Sequence, residues 1–383
     1  MTITPFTLAI SDAALDDLQQ RLSNTRWLDT LPDNGWSEGC DAAVLKRAVA
    51  YWRDGFDWRA QEQRLNALGQ FMAEVDGQSL HFIHRRGTGP APLPLILTHG
   101  WPGSFVEMAE IIPLLADPGS HGGDPQDAFH VVVPSLPGYG FSPAPTSPGT
   151  GPRQVAQLWA GLMTQLGYDR FGAQGGDWGA SVSTWLALQH PQRVTGVHLN
   201  FIPGSYRPPL TDAEPPITAE EQAFLQTAAA WRDAEGAYGH IQGTKPQSLA
   251  VGLNDSPAGL AAWILEKFHG WSGFDGDIEQ GFGLDELLTN LSVYWFTGSI
   301  GSSFRMYLEG RARPLHLASG QRILPPLGVA QFPHELPMPP RSWIERCFNV
   351  QRWTMMPHGG HFAAMERPQD LAEDIRAFFR PFR

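Results

Sequence analysis

The sequence of 383 residues has few cysteines, a deficit of basic charge and no long apolar run. Its two cysteines, Cys40 and Cys347, cannot build a disulfide framework or a zinc cage, so we expect two buried thiols. Lys and Arg number 27 against 39 Asp and Glu, a net charge of −12, which argues against nucleic acid as a partner. No stretch of about 18 apolar residues occurs, and the first residues do not resemble a signal peptide. We therefore expect a cytoplasmic protein without a membrane anchor.

From residue 71 onward, short apolar runs alternate with helical segments, a pattern typical of parallel βαβ units. The preceding residues predict helices, one of them capped by Ser11, and their many Trp and Phe side chains indicate a strap packed on the main domain. A long helical, aromatic-rich stretch later interrupts the alternation and predicts a lid. We divide the chain into a strap (1–75), a first core segment (76–204), a helical lid (205–315) and a second core segment (316–383).

The clearest chemical motif is Gly175-Gly-Asp-Trp-Gly179, which lies between a predicted strand and a predicted helix. This is the context of the nucleophile elbow, G-x-S-x-G, with Asp177 in the place of serine. Small residues allow the tight turn, and the positive end of the next helix favours a carboxylate. An Asp-containing turn without chemistry is the alternative for this motif taken alone.

Two other loops complete a candidate constellation. The loop His99-Gly-Trp-Pro-Gly-Ser104 follows a predicted strand. In enzymes with a nucleophile elbow, a loop at this position supplies one N–H group of the oxyanion hole, and here it would be the backbone N–H of Trp101. The second donor would be the backbone N–H of Trp178, directly after the nucleophile. In Pro357-His-Gly-Gly-His-Phe362, after the last strand, we prefer His361 over His358 as the base because it follows the Gly-Gly flexion.

The acid that orients the base should lie between Asp177 and His361, at the end of a strand. Glu335, in Phe332-Pro-His-Glu-Leu336, follows a predicted strand and is our choice. Asp285 and Asp275 are poorer candidates because both lie in the predicted lid.

An aspartate nucleophile restricts the chemistry. A serine attacking an sp³ carbon would leave an inert ether, whereas a carboxylate leaves an ester that activated water hydrolyses. Strained epoxides and alkyl halides both fit this scheme. An opening epoxide needs an O–H donor at its oxygen, and the lid offers Tyr238 and Tyr307, two of only seven tyrosines in the chain.

With these motifs in hand, the sequence resembles the microsomal-type epoxide hydrolases over nearly its whole length. The strap and lid carry further similar motifs: Thr25-Arg-Trp27, Tyr51–Arg59, Glu62–Asn66, Thr244-Lys-Pro246 and Asn254–Leu260. The resemblance implies an α/β-hydrolase fold, with an eight-stranded, mostly parallel sheet, helices on both faces, a helical lid and an N-terminal helical strap. It places Tyr238 and Tyr307 at the epoxide-activating tyrosines of the family.

The implied activity is the hydrolysis of small apolar epoxides to vicinal diols, with water as the second reactant, no metal or organic cofactor, and a role in detoxification. A homodimer remains open. Two alternatives stay: a haloalkane dehalogenase on the same scaffold, and a catalytically silent hydrolase fold that only binds ligands. The two tyrosines and the strap argue against the first. The complete nucleophile, acid and base argue against the second.

Overall fold

The computed structural model describes residues 3–29, 35–210, 215–274 and 276–383. Within these ranges, one sheet contains nine strands in the order β1-β2-β3-β5-β4-β6-β7-β8-β9. Neighbours from β5 to β9 in this order pair in parallel, and the remaining pairs are antiparallel. The strands are β1 (Ile3–Phe6), β2 (Gln70–Val75), β3 (Gln78–Arg85), β4 (Leu93–Thr98), β5 (Phe129–Pro134), β6 (Phe171–Gly175), β7 (Val194–Leu199), β8 (Ile323–Gln331) and β9 (Phe348–Met355).

The mostly parallel sheet confirms the predicted fold class, but the predicted count of eight strands is wrong. The additional strand is β1, which pairs antiparallel with β2 in the register Ile3↔Ala73. It has only four residues, and one of them is Pro5, which cannot donate to a ladder and is confined to positions such as sheet edges. The sequence of β1 alone therefore predicts a strand only weakly. It becomes a strand because it pairs with the edge of β2.

Sixteen α-helices accompany the sheet in the described residues. They are α1 (Asp12–Ser23), α2 (Ala42–Asp54), α3 (Trp58–Asn66), α4 (Ile111–Ala116), α5 (Pro152–Gln165), α6 (Asp177–Gln189), α7 (Ala219–Glu235), α8 (Ala237–Gln242), α9 (Pro246–Asp255), α10 (Pro257–Gly270), α11 (Leu284–Thr297), α12 (Ile300–Ser303), α13 (Arg305–Ala312), α14 (Arg341–Ile344), α15 (Ala363–Glu366) and α16 (Pro368–Phe379). None of these helices is long and apolar enough to cross a membrane.

Helices cover both faces of the sheet, as predicted. Successive side chains of a strand point to opposite faces, and Ile96 of β4 accordingly joins one apolar core while Leu95 and Leu97 join another. The first core includes residues of α5 and α6, and the second includes residues of α4 and α16. The central strands are buried on both faces, which explains why they appear in the sequence as continuous apolar runs.

Local sequence signals explain the elements that were predicted before the sheet. Ser11 accepts a hydrogen bond from the Ala14 N–H and caps α1, and Asp41 caps α2 in the same way. Asp76 and Gly77 take positive φ angles of 50° and 79° and turn the β2–β3 hairpin. The predicted Ser11 cap is confirmed. Of the two cysteines, Cys347 is buried and Cys40 is half-buried.

A buried hydrogen bond joins the segment predicted as the strap to the segment predicted as the lid. The indole Nε1–H of Trp52, on α2, donates to the hydroxyl of Ser292, on α11, at 3.0 Å. From the same helix, Asn290 donates to the carbonyl of Pro102 at 2.8 Å and the Tyr294 hydroxyl donates to the carbonyl of Gly103 at 2.8 Å. Helix α11, which accepts the hydrogen bond from α2, therefore also supports the loop after β4.

Candidate active site

Asp177 lies at a sharp turn between the end of β6 and the start of α6. Its φ of 44° is in the left-handed region, which costs a non-glycine residue about 1–3 kcal/mol and is typical of functional sites. Glycines on both sides make the turn possible. A Cβ on Gly179 would lie 2.7 Å from the carbonyl carbon of Thr98, and one on Gly176 would lie 2.6 Å from Nδ2 of Asn200. The close packing therefore forces glycine at these motif positions.

The Asp177 carboxyl group contacts two of the predicted partners. The backbone N–H of Trp101 donates to Oδ1 at 2.9 Å. On the other side, Nε2 of His361 lies 3.6 Å from Oδ2. Trp178 is the second residue of α6, so its backbone N–H belongs to the first turn, where no helical carbonyl accepts it. The side chain of Asp177 keeps 16% of its surface exposed, which leaves a face for a reactant.

His361 is held by Glu335, the acid chosen from the sequence. Nδ1–H of His361 donates to Oε1 of Glu335 at 2.6 Å, and the Leu336 N–H donates to the same oxygen at 2.7 Å. The two loops are also joined by their backbones, since the His334 N–H donates to the carbonyl of Gly359 at 3.2 Å. The Glu335 side chain is 2% exposed, so the charged pair is shielded from solvent.

The alternative residues lie elsewhere. His358 is exposed, whereas His361 is buried beside Asp177. Asp285 is exposed in the first turn of α11 and accepts a hydrogen bond from the Tyr51 hydroxyl. Asp275 lies outside the described residues.

The carboxylates on both sides of His361 determine its charge. Burial alone would lower the pKa of His361, but Glu335 and Asp177 outweigh it and raise the pKa well above the ordinary value of 6.5. The two carboxylates therefore favour the protonated form of the imidazole. Anything that neutralises Asp177 removes one of the two groups that raise this pKa.

Two tyrosines of the predicted lid segment lie close enough to Asp177 to be affected by its charge. Tyr238, on α8, and Tyr307, on α13, pack edge to face with ring centroids 5.8 Å apart. The indole of Trp101 stacks on Tyr238 at 5.4 Å and meets the edge of Tyr307 at 5.8 Å. Burial raises the pKa of both phenols above the ordinary value of 10, and the negative charge of Asp177 raises it further. Both phenols are therefore neutral O–H donors at neutral pH.

One acidic side chain near the site was missed by the sequence analysis. The Glu107 carboxyl packs against the loop after β4, where a Cβ on Gly103 would meet its Oε2 atom. Burial raises the pKa of Glu107 from 4.5 to about 7. The only signal in the sequence is Ser104-x-x-Glu107, a pattern for the start of a helix. That pattern is found here at a short 3₁₀ helix, Phe105–Met108, and says nothing about chemistry.

The sheet, the elbow aspartate and the histidine loop after the last strand define the chain as an α/β-hydrolase. The protein-family model described as the alpha/beta hydrolase fold matches residues 94–234, and the one described as the epoxide hydrolase N terminus matches residues 3–108.

Similar proteins of known name agree with these family matches. A putative epoxide hydrolase of Stigmatella aurantiaca is 44% identical over all of this chain and 86% of its own length. Epoxide hydrolase 1 of Oryctolagus cuniculus is 39% identical over 98% of this chain and 88% of its own length. The crystal structure of juvenile hormone epoxide hydrolase from the silkworm Bombyx mori is 31% identical, with a TM-score of 0.88 over 100% of this chain and 95% of that one. The chain belongs to the epoxide hydrolase family, in the microsomal-type branch that its motifs predict.

Proposed function

We propose that this epoxide hydrolase converts apolar epoxides to vicinal diols through a covalent ester on Asp177. The observation that carries the proposal is the position of the Asp177 carboxylate. One side of it faces a backbone N–H and a histidine–glutamate pair, and two neutral tyrosines lie nearby in the lid. These tyrosines supply the O–H donors that an epoxide oxygen requires and a departing halide does not.

In the first step, the Asp177 carboxylate attacks the less hindered epoxide carbon. A C–O bond forms to the carboxylate, and the C–O bond of the ring breaks. Tyr238 and Tyr307 donate hydrogen bonds to the epoxide oxygen, and one of them transfers its proton as the alkoxide forms. That phenolate regains a proton from water before the next turnover.

In the second step, water cleaves the ester. Esterification removes the negative charge of Asp177, so the pKa of His361 falls and the imidazolium releases its proton to solvent, which balances the proton that the phenolate takes up. The neutral imidazole then accepts a proton from water. The resulting hydroxide adds to the ester carbonyl, and the N–H groups of Trp101 and Trp178 stabilise the oxyanion. Collapse of this intermediate releases the alkoxide, which takes a proton from His361 to give the diol and leaves Asp177 as a carboxylic acid. That acid gives its proton to His361, which restores the carboxylate and the imidazolium, while Glu335 keeps the imidazole in position.

A single turnover with excess enzyme in ¹⁸O-water tests this route. We expect the first diol from a styrene-oxide-type substrate to carry unlabelled oxygen and the peptide with Asp177 to gain the label. Asp177→Ala should abolish diol formation, and Asp285→Ala, which removes an exposed carboxylate, should leave it unchanged. Label in the first diol, with none in the peptide, would mean that water attacks the epoxide directly.

The same assays separate the alternatives. Halide release from a 1-haloalkane without diol from any epoxide would favour a dehalogenase, and tight binding of an epoxide without turnover would favour a silent fold. We further propose residues 205–315 as the lid of this site, since both tyrosines come from that segment. Detoxification of apolar epoxides in the cytoplasm remains part of the proposal, as does the possible homodimer.

A further inference from the structure

A buried lysine packs against Tyr238 and Trp271, two aromatic residues near the candidate site. Lys267, on α10, is 7% exposed at its side chain and forms an ion pair with Glu266, which is 21% exposed. Its ammonium nitrogen lies 4.9 Å from the centroid of the Tyr238 ring and 5.8 Å from the Trp271 ring. Both distances are within the range of cation–π contacts. The mechanism above assigns no role to this charge.

The two tyrosines differ in this respect. Among the described residues, no Lys or Arg lies over the ring of Tyr307, which contacts the indoles of Trp101 and Trp178 instead. The charged groups around Tyr238 come from several elements: Asp177 on α6, and Glu266 and Lys267 on α10. Of these, Lys267 is the cation, and it lies over the ring face.

A cation over a phenol acts mainly when the ring becomes negative. A neutral ring attracts the ammonium only through its quadrupole, whereas a phenolate attracts it through a full charge. The contact therefore strengthens as Tyr238 gives its proton to the epoxide oxygen. An interaction that is stronger in the transition state than in the ground state accelerates the step. Because the site is buried, water screens this interaction only weakly.

We propose that Lys267 is a positioning residue of the reaction, which acts through the Tyr238 ring and makes Tyr238 the stronger of the two proton donors to the epoxide oxygen. The proposal rests on the proposed function, because it needs an epoxide that is opened by Asp177 with help from both tyrosines. It predicts that the two phenols differ in strength as proton donors, although both hydroxyl groups donate to the same epoxide oxygen.

The test compares the same lysine substitution in two backgrounds. Lys267→Met removes the charge and keeps the length of the side chain, and it is introduced into Tyr307→Phe, where only Tyr238 donates, and into Tyr238→Phe, where only Tyr307 donates. Rapid-quench single turnovers with styrene oxide measure, by protein mass, the rate at which the ester forms and the rate at which it decays. Thermal melts verify that each variant is folded.

We expect Lys267→Met to slow ester formation about 10-fold in the Tyr307→Phe background, in line with a desolvated cation–π contact. In the Tyr238→Phe background the effect should be below about 2-fold, because the ring that remains there is only a hydrocarbon. Lys267→Arg should restore most of the rate, since it keeps the cation. Should Lys267→Met fail to fold, Lys267→Gln serves as the neutral variant in its place.

An equal decrease in the rate of ester formation in the two backgrounds would overturn the proposal, because a merely structural role of Lys267 does not distinguish between the tyrosines. A slower decay of the ester with unchanged formation would also overturn it. That result would mean that Lys267 acts through Trp271, whose carbonyl accepts the backbone N–H of His361 at 2.8 Å. The unsubstituted enzyme distinguishes a failure of the Lys267 proposal from a failure of the proposed function. If the unsubstituted enzyme forms no ester with an epoxide, both proposals fail.

Discussion

The contact between Gly100 and Asp177 makes a quantitative prediction possible. Gly100 lies in the loop after β4, and a Cβ at this position would overlap Cβ of Asp177 and lie 2.6 Å from its Cγ. Ordinary van der Waals contact begins at 3.4 Å, so Gly100→Ala requires Cβ of Asp177 and the new methyl group to separate by about 1 Å more. Cβ of Asp177 is fixed by its backbone, so rotation of the side chain does not relieve this overlap. Because the elbow is packed closely against Thr98 and Asn200, we expect the loop after β4 to shift away from the Asp177 carboxyl group.

A displacement of about 1 Å at a reacting group costs about 10²-fold in rate, because the attacking atom leaves its aligned position. Overpacking of a well-packed site costs about 1–3 kcal/mol of the free energy of unfolding. We therefore expect Gly100→Ala to slow ester formation about 10²-fold while the protein stays folded. The Trp101 N–H, which holds Oδ1, should be displaced from the carboxyl in the same variant.

Single-turnover mass spectrometry measures ester formation, and urea unfolding measures stability. Gly252→Ala is the matched control, because Gly252 lies on α9 and a Cβ there would meet no atom within 4 Å. That control should keep the full rate. A folded Gly100→Ala variant that forms the ester at the rate of the unsubstituted enzyme would refute the argument from this contact.

Three further predictions concern the residues around the site. Glu335→Gln should slow decay of the ester by about 10²–10⁴-fold, because the imidazolium of His361 loses its partner, so the ester accumulates in rapid-quench samples. Burial raises the pKa of Glu107 from the ordinary 4.5 to about 7 in the folded protein. Between these two pH values the folded state binds more protons than the unfolded state, so the free energy of unfolding of the wild type should fall as pH rises from 4.5 to about 7. Glu107→Gln should remove that fall, and equal pH slopes in urea unfolding would contradict the burial argument. Trp52→Phe leaves the Ser292 hydroxyl without its donor and should cost about 1–3 kcal/mol in the same assay; an unchanged midpoint would show that this hydrogen bond is not needed.

The chain order of the site could be predicted from the sequence because each functional side chain follows a strand. Asp177, Glu335 and His361 come after β6, β8 and β9, and the carboxyl ends of parallel strands meet at one edge of the sheet. Their proximity therefore follows from topology once the strands are recognised. The glycines around Asp177 were predictable for a related reason, since a strand-to-helix turn this tight excludes a Cβ.

Residues that act from a distance in the chain could not be predicted in this way. Glu107 carries a helix-start pattern, and nothing in its neighbourhood of the sequence indicates that it is buried against Gly103. Lys267 follows Glu266 on an ordinary helical segment, and only the packing of α10 against α8 brings its charge over the Tyr238 ring. Strand β1 was missed because its four residues become a strand through the edge of β2.

The sequence by itself determined the fold class and the family, and it predicts which residues are the elbow aspartate, the base and the acid. Apolar periodicity and glycine-rich turns depend on residues that are close together in the sequence, so they can be recognised without the structure. Only the tertiary structure decided the charge of His361, the difference between Tyr238 and Tyr307, and the burial of Glu107. These are properties of the electric field and of solvent exclusion at a point, and the field there is the sum over side chains that are far apart in the sequence.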